Sequence, residues 1–122
     1  MAFRRTSHAV YDTQYHLVWA PKYRKRILQG QIRERMDALL REIAEAYRIT
    51  IDEMEVAVDH VHIFCSFPPS LSITQAVTRL KSLSARTILG EYPQIKRQLW
   101  GGEFWESAVL ARAGKTVTSC AR

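Results

Sequence analysis

Between Gln14 and Pro93 the apolar residues repeat first every two positions, then every three or four, then every two again and finally every three or four. That order of repeats limits the chain to alternating strands and helices in one fixed sequence. In Gln14–Ala20, Tyr15, Leu17 and Trp19 lie on one side and His16 and Val18 on the other, which predicts a strand that Pro21 ends. From Gln31 to Tyr47, Ile32, Met36, Leu39, Leu40, Ile43 and Tyr47 make one apolar helix face, with Arg33, Glu34, Asp37 and Arg41 opposite. Ile49–Val58 and Val61–Phe67 read as two adjacent strands, antiparallel through a turn at Asp59 and stopped by Pro68-Pro69. Ser72-Ile-Thr-Gln75 has capping-box spacing and opens a second helix that Gly90 and Pro93 close. Its apolar face is Ile73, Ala76, Val77, Leu80, Leu83 and Ile88, and Arg79, Lys81, Ser82 and Arg86 lie toward the other side.

Strand, helix, strand, strand, helix lacks one strand to be an α+β, ferredoxin-like split βαβ sandwich, an antiparallel sheet with two helices on one face. Phe104–Leu110 is the candidate for that strand. Residues 107–122 have small side chains and no apolar repeat beyond Leu110, and are expected to be a poorly ordered tail after a single domain of residues 1–106.

The 122 residues suffice for one core, and 47 % apolar with 25 % charged residues excludes a disordered or collagen-like chain. No stretch has the roughly 20 apolar residues of a bilayer crossing, and Met1–Arg5 is no signal-peptide core, so a cytoplasmic protein without a membrane partner is expected. Cys65 and Cys120 form neither a disulfide framework nor a CxxC site. Charge is unevenly spread. Residues 1–26 carry +5, residues 27–60 carry −4 and residues 61–122 carry +5, for a net +6. Basic segments flanking an acidic one suit a polyanion, because each neutralised phosphate releases counterions, and equally suit a solvated basic surface.

His60-Val61-His62 is the most informative triplet. On a strand, residues two apart point the same way, so both imidazoles share a face with Phe64 while Val61, Ile63 and Cys65 face the other layer. Two neutral imidazoles make half a metal site that suits Mn, Zn, Fe, Ni or Cu better than Mg, with Asp59 either orienting an imidazole or forming the turn. As a bare pattern, two structural histidines on a half-exposed strand explain it as well.

Asp59-His-Val-His-Ile-Phe64, after the strand ending Glu55-Val-Ala-Val58, resembles the His-hydrophobic-His signature of HUH single-strand DNA endonucleases, and more narrowly the single-tyrosine transposases of minimal insertion sequences. Tyr15–Arg24 resembles that family's first strand and basic turn, Leu80–Arg86 its second helix, and Leu99–Trp105 its approach to the last strand. The resemblance implies a homodimer that recognises a hairpin in single-stranded DNA, with His60 and His62 holding a divalent metal, Mg or Mn, against the scissile phosphate. It also implies a nucleophilic tyrosine on a C-terminal helix, with a glutamine one turn later, that forms a 5′-phosphotyrosine intermediate. Here the sequence departs from the pattern. Its five tyrosines are Tyr11, Tyr15, Tyr23, Tyr47 and Tyr92, and residues 107–122 hold neither Tyr nor Gln. A frameshift or truncation near Ser107 and a cleavage-deficient chain are therefore expected, with a noncatalytic hairpin DNA- or RNA-binding module as the alternative.

Lys22, Tyr23, Arg24, Lys25 and Arg26 could track phosphates and stack a base, or form a solvated turn, and Arg79, Lys81 and Arg86 are either a phosphate-facing stripe or a wet face. Trp100, Phe104 and Trp105 are expected in the core or a dimer interface, His16 on a packed or half-buried strand face, and Cys65 as an inert core residue.

Overall fold

The computed structural model describes residues 13–100 and 102–116. Along the chain run β1 (Thr13–Trp19), a 3-10 turn (Lys22–Arg24), α1 (Gly30–Ala46), β2 (Thr50–Ala57), β3 (His60–Ser66), α2 (Ile73–Glu91), the one-turn α3 (Ile95–Gln98) and β4 (Leu110–Thr116). The strands form one sheet in the order β2-β3-β1-β4, and every neighbouring pair is antiparallel. This is the ferredoxin-like α+β arrangement that the order of repeats demands.

Alternation along β1 and β3 divides the sheet into two faces. Leu17, Trp19, Val61, Ile63 and Cys65 are buried with Met36 and Leu40 of α1 and Ala76, Leu80 and Ile88 of α2. Each such aliphatic side chain contributes about 1.5–3 kcal/mol by leaving water. The register pairs Leu17 with Ile63 and Val18 with His62. A slip of one residue would exchange the apolar and polar sides of a whole strand, so core burial also fixes which side chains stand on the open face.

Local signals set the helix ends. The Ser72 hydroxyl accepts from the Gln75 amide at 3.0 Å and the Gln75 side chain accepts from the Ser72 amide at 2.9 Å, which completes the capping box. Arg35, in the second turn of α1, makes two 2.9 Å bonds to the carboxylate of Glu91, the last residue of α2, tying the two helices together and holding Glu91 below its ordinary range.

The last strand lies further along than Phe104–Leu110. β4 occupies Leu110–Thr116, inside the stretch expected to be a disordered tail, and pairs Leu110 with Val18 and Arg112 with His16. Leu-Ala-Arg-Ala-Gly-Lys-Thr has little intrinsic strand preference, and pairing along the free edge of β1 supplies it. Residues 117–122, with Cys120, lie outside the described residues. Phe104 and Trp105 are core residues as expected, whereas Trp100 is 78 % exposed and belongs to no core.

Candidate functional site on the open face of the sheet

The face of β1 and β3 turned away from the helices carries His16, His60, His62 and Phe64, all half-buried. β3 begins at His60 because the turn at Val58 and Asp59 has just reversed the chain out of β2. That turn also places the Asp59 carboxylate beside the first imidazole. Asp59 Oδ1 lies 3.1 Å from His60 Nδ1, and its other oxygen lies 3.7 Å from the Arg24 guanidinium. The hydrogen bond to His60, with the nearby Arg24 charge, holds Asp59 below the usual carboxylate range. An ionised carboxylate only accepts, so it is His60 Nδ1 that donates in this contact, and Nε2 is the ring nitrogen that Asp59 does not engage. Asp59 is therefore both the turn residue and the group that orients His60.

His62 has a different neighbour. Its Nε2 meets Nε2 of His16 across the β1–β3 ladder, with ring centroids 4.3 Å apart. Phe64 stacks on His16 at 4.4 Å and an interplanar angle of 17°. Burial first, and then the charges of His62 and Arg112, push the His16 pKa down. His16 thus belongs to the site, which sequence reading missed. The β1 alternation set it opposite Leu17, but only the register shows that it meets His62.

Two cavities border this face. One of about 490 Å³ is lined by Val18, Arg24, His60, Glu106, Ala108 and Leu110, and one of about 270 Å³ by Glu53, Met54, Glu55, His62 and Phe64. Among the described residues no three His, Cys, Asp or Glu side chains form a cation cage. The donor chemistry suits a half-site, with imidazoles on one face, one bonded to a carboxylate, and open space beside them.

The basic residues divide. Lys22, Tyr23, Arg24 and Arg26 follow the C-terminal end of β1, next to the start of β3, and Arg24 reaches the Asp59–His60 pair. Arg79 and Arg86 are exposed on α2, in the layer behind the sheet, and Arg79 lies over the Tyr47 ring at 5.0 Å. Lys81 Nζ donates to the Glu106 carbonyl at 2.6 Å and is half-buried, which lowers its pKa. It closes the chain onto α2 rather than standing ready for a phosphate. Of the tyrosines, Tyr15 stacks on Phe67 at 4.5 Å and Tyr92 packs partly buried at the end of α2. Tyr11 lies outside the described residues.

The chain is 42 % identical to the ISDra2 transposase TnpA of Deinococcus radiodurans over 96 residues, 79 % of this chain and 69 % of that protein. It is 30 % identical over 99 residues to the transposase for insertion sequence element IS200 of Salmonella typhimurium, 81 % of this chain and 65 % of that one, so it spans about two thirds of these relatives. A crystal structure of a provisionally assigned Deinococcus radiodurans R1 transposase superposes with a TM-score of 0.76 at 32 % identity, covering 81 % of this chain and 76 % of the other. The structure of a REP-associated tyrosine transposase bound to a REP hairpin shares the fold, with a TM-score of 0.60 at 11 % identity over 88 % of this chain and 59 % of that one.

Fold and relatives together define a DNA transposase of insertion sequences. More narrowly, the chain belongs to the family described as Transposase IS200 like, whose model matches residues 9–118. That match passes Glu106 and takes in β4, so the likeness does not break off near Ser107 as the sequence reading expects.

Proposed function

We propose that this chain binds the hairpin-bearing single-stranded end of an insertion sequence, as a homodimer, with a divalent cation held by His60 and His62. The observation that carries the reading is the chain of contacts Arg24–Asp59–His60 at the same end of the sheet as the basic loop. What supports it is that an imidazole bonded to a carboxylate, a guanidinium and a cavity of about 490 Å³ lie side by side, the groups a phosphodiester with a bound cation would need. His60 offers Nε2, Asp59 fixes its tautomer, and Arg24 adds fixed positive charge that attracts the phosphate. His16 engages Nε2 of His62, so Nδ1 is the His62 nitrogen left for the ion unless the ion displaces that contact. A cation held by these imidazoles, Mn more readily than Mg given nitrogen donors, would offset the charge of the phosphate oxygens and align them.

Among the described residues no tyrosine is hydrogen-bonded to or stacked on His60 or His62. We propose that these 122 residues bind the hairpin without cleaving it. Incubation with Mn and a labelled DNA hairpin carrying single-stranded flanks should give a shifted complex and no denaturant-resistant conjugate. A covalent protein–DNA adduct would overturn the second part, and absence of any complex would overturn the first. Tighter binding of the matching RNA hairpin would replace DNA as the partner.

A further inference from the structure

Trp100 and Tyr23 are large aromatic side chains left in water at 78 % and 52 % exposure, and they stand together with ring centroids 5.5 Å apart and planes 42° from parallel. Burying an indole is worth several kcal/mol, so leaving one exposed is a cost that a fold carries for a reason. The backbone pays a second one: Tyr23, Arg24 and Trp100 have φ of 60°, 50° and 56°, a region that residues with side chains rarely adopt. The surroundings enforce it. The Lys22 amide donates to the Phe104 carbonyl at 2.8 Å and the Tyr23 amide to the Glu106 carboxylate at 2.8 Å, while Leu99, next to Trp100, is fully buried. The two rings are thus set by the scaffold and are not incidental loop tips.

Their cations are equally local. Lys25 Nζ lies 5.8 Å from the centre of the Trp100 ring and Lys22 Nζ 5.9 Å from that of Tyr23, with Arg24 and Arg26 in the same loop. Aromatic faces flanked by ammonium groups are the two halves of a nucleotide-binding surface, one for the base and one for its phosphate. A base paired in a duplex has both faces covered by its neighbours, so only an unpaired base can use such a platform. The two rings are too close together to admit a base between them, which leaves Trp100, the more exposed of the two, as the stacking surface and Tyr23 as its support.

We propose that Trp100, braced by Tyr23, stacks an unpaired base next to the hairpin, with Lys22 and Lys25 on the adjoining phosphates. This rests on the hairpin-binding reading above and adds the residue that distinguishes single-stranded from paired nucleotides. The test compares the affinity of the full chain for a DNA hairpin with an unpaired flank and for the same hairpin with blunt ends, using wild type, Trp100→Ala and Trp100→Phe. Trp100→Ala should weaken the flanked hairpin about ten-fold and the blunt one by less than about two-fold, and Trp100→Phe should restore most of the loss. Circular dichroism and the elution volume should not change, because Trp100 contributes nothing to the core. Equal binding of both hairpins by wild type and Trp100→Ala would overturn the platform and leave hairpin binding intact. A uniform loss on both hairpins would reassign Trp100 to general contact, and a change in elution volume would reassign it to contact with a second copy. No binding by the wild type would overturn both readings together.

Discussion

Ser84 is a polar residue with no exposure in the middle of α2, and replacing it by alanine tests how the core positions the site. Its hydroxyl donates to the Leu80 carbonyl at 2.6 Å and accepts from the indole N–H of Trp105 at 3.1 Å. Ser84→Ala removes the acceptor and strands a buried indole N–H, which costs about 1–3 kcal/mol. Alanine's better helix preference returns a few tenths of this, about 0.4 kcal/mol. The net loss is about 1–2 kcal/mol, and for a chain of this size about 3–10 °C in Tm. Urea unfolding followed by tryptophan fluorescence gives the value, and Trp105→Phe supplies the second arm of a cycle. With the indole N–H gone, Ser84→Ala should cost less than about 0.5 kcal/mol, so the two changes are strongly non-additive. The same cost in both backgrounds, or none in either, would refute the role assigned to this bond. The consequence reaches the surface, because Trp105 is bridged to Pro21 and its neighbour Phe104 accepts from the Lys22 amide. Ser84→Ala should therefore also loosen the basic loop, seen as faster amide exchange at residues 22–24.

Asp59→Asn keeps the turn but removes the charge that fixes the His60 tautomer, and should weaken Mn binding by about 10-fold in calorimetry with little change in fold. An unchanged affinity would mean that Asp59 serves the turn alone. Arg24→Ala should lower the slope of hairpin affinity against salt by about 0.7–0.9, the share of one phosphate contact, whereas Lys81→Ala, whose ammonium is occupied by the Glu106 carbonyl, should lower stability and leave the slope unchanged. Burial pushes the Cys65 thiol up to about 12, so in a Cys120→Ser background it should resist a thiol reagent at pH 8 until denaturant is added. Ready labelling of the native protein would contradict the burial.

Much of this fold is legible in the sequence alone. The 3.6-residue repeat of Met36, Leu40 and Ile43, the Ser72–Gln75 box and the β-branched run through Val61 and Ile63 are local signals that tertiary packing reinforces. β4 lies later than its aromatic signal, because Phe104 and Trp105, which look like strand residues, belong to a loop buried beside α2, while Ala111 and Ala113 become strand through pairing with Leu17 and Tyr15. The pair His60 and His62 was legible because strand periodicity acts within one element. His16 was not, since its meeting with His62 depends on register between strands 46 residues apart. Trp100 lies outside the core, against what hydrophobicity alone suggests for an aromatic side chain, and its positive φ sets it beside the exposed Tyr23.

Loss of the free-ion Mn resonance on titration with protein measures directly whether the open face holds a cation, without needing any activity. The wild-type chain should take up the ion, more tightly when a flanked hairpin is present, and His60→Ala and His62→Ala should each abolish uptake while keeping the wild-type far-ultraviolet spectrum. Uptake by both variants equal to that of wild type would show the two imidazoles to be structural, and the metal-assisted account of this face would be wrong.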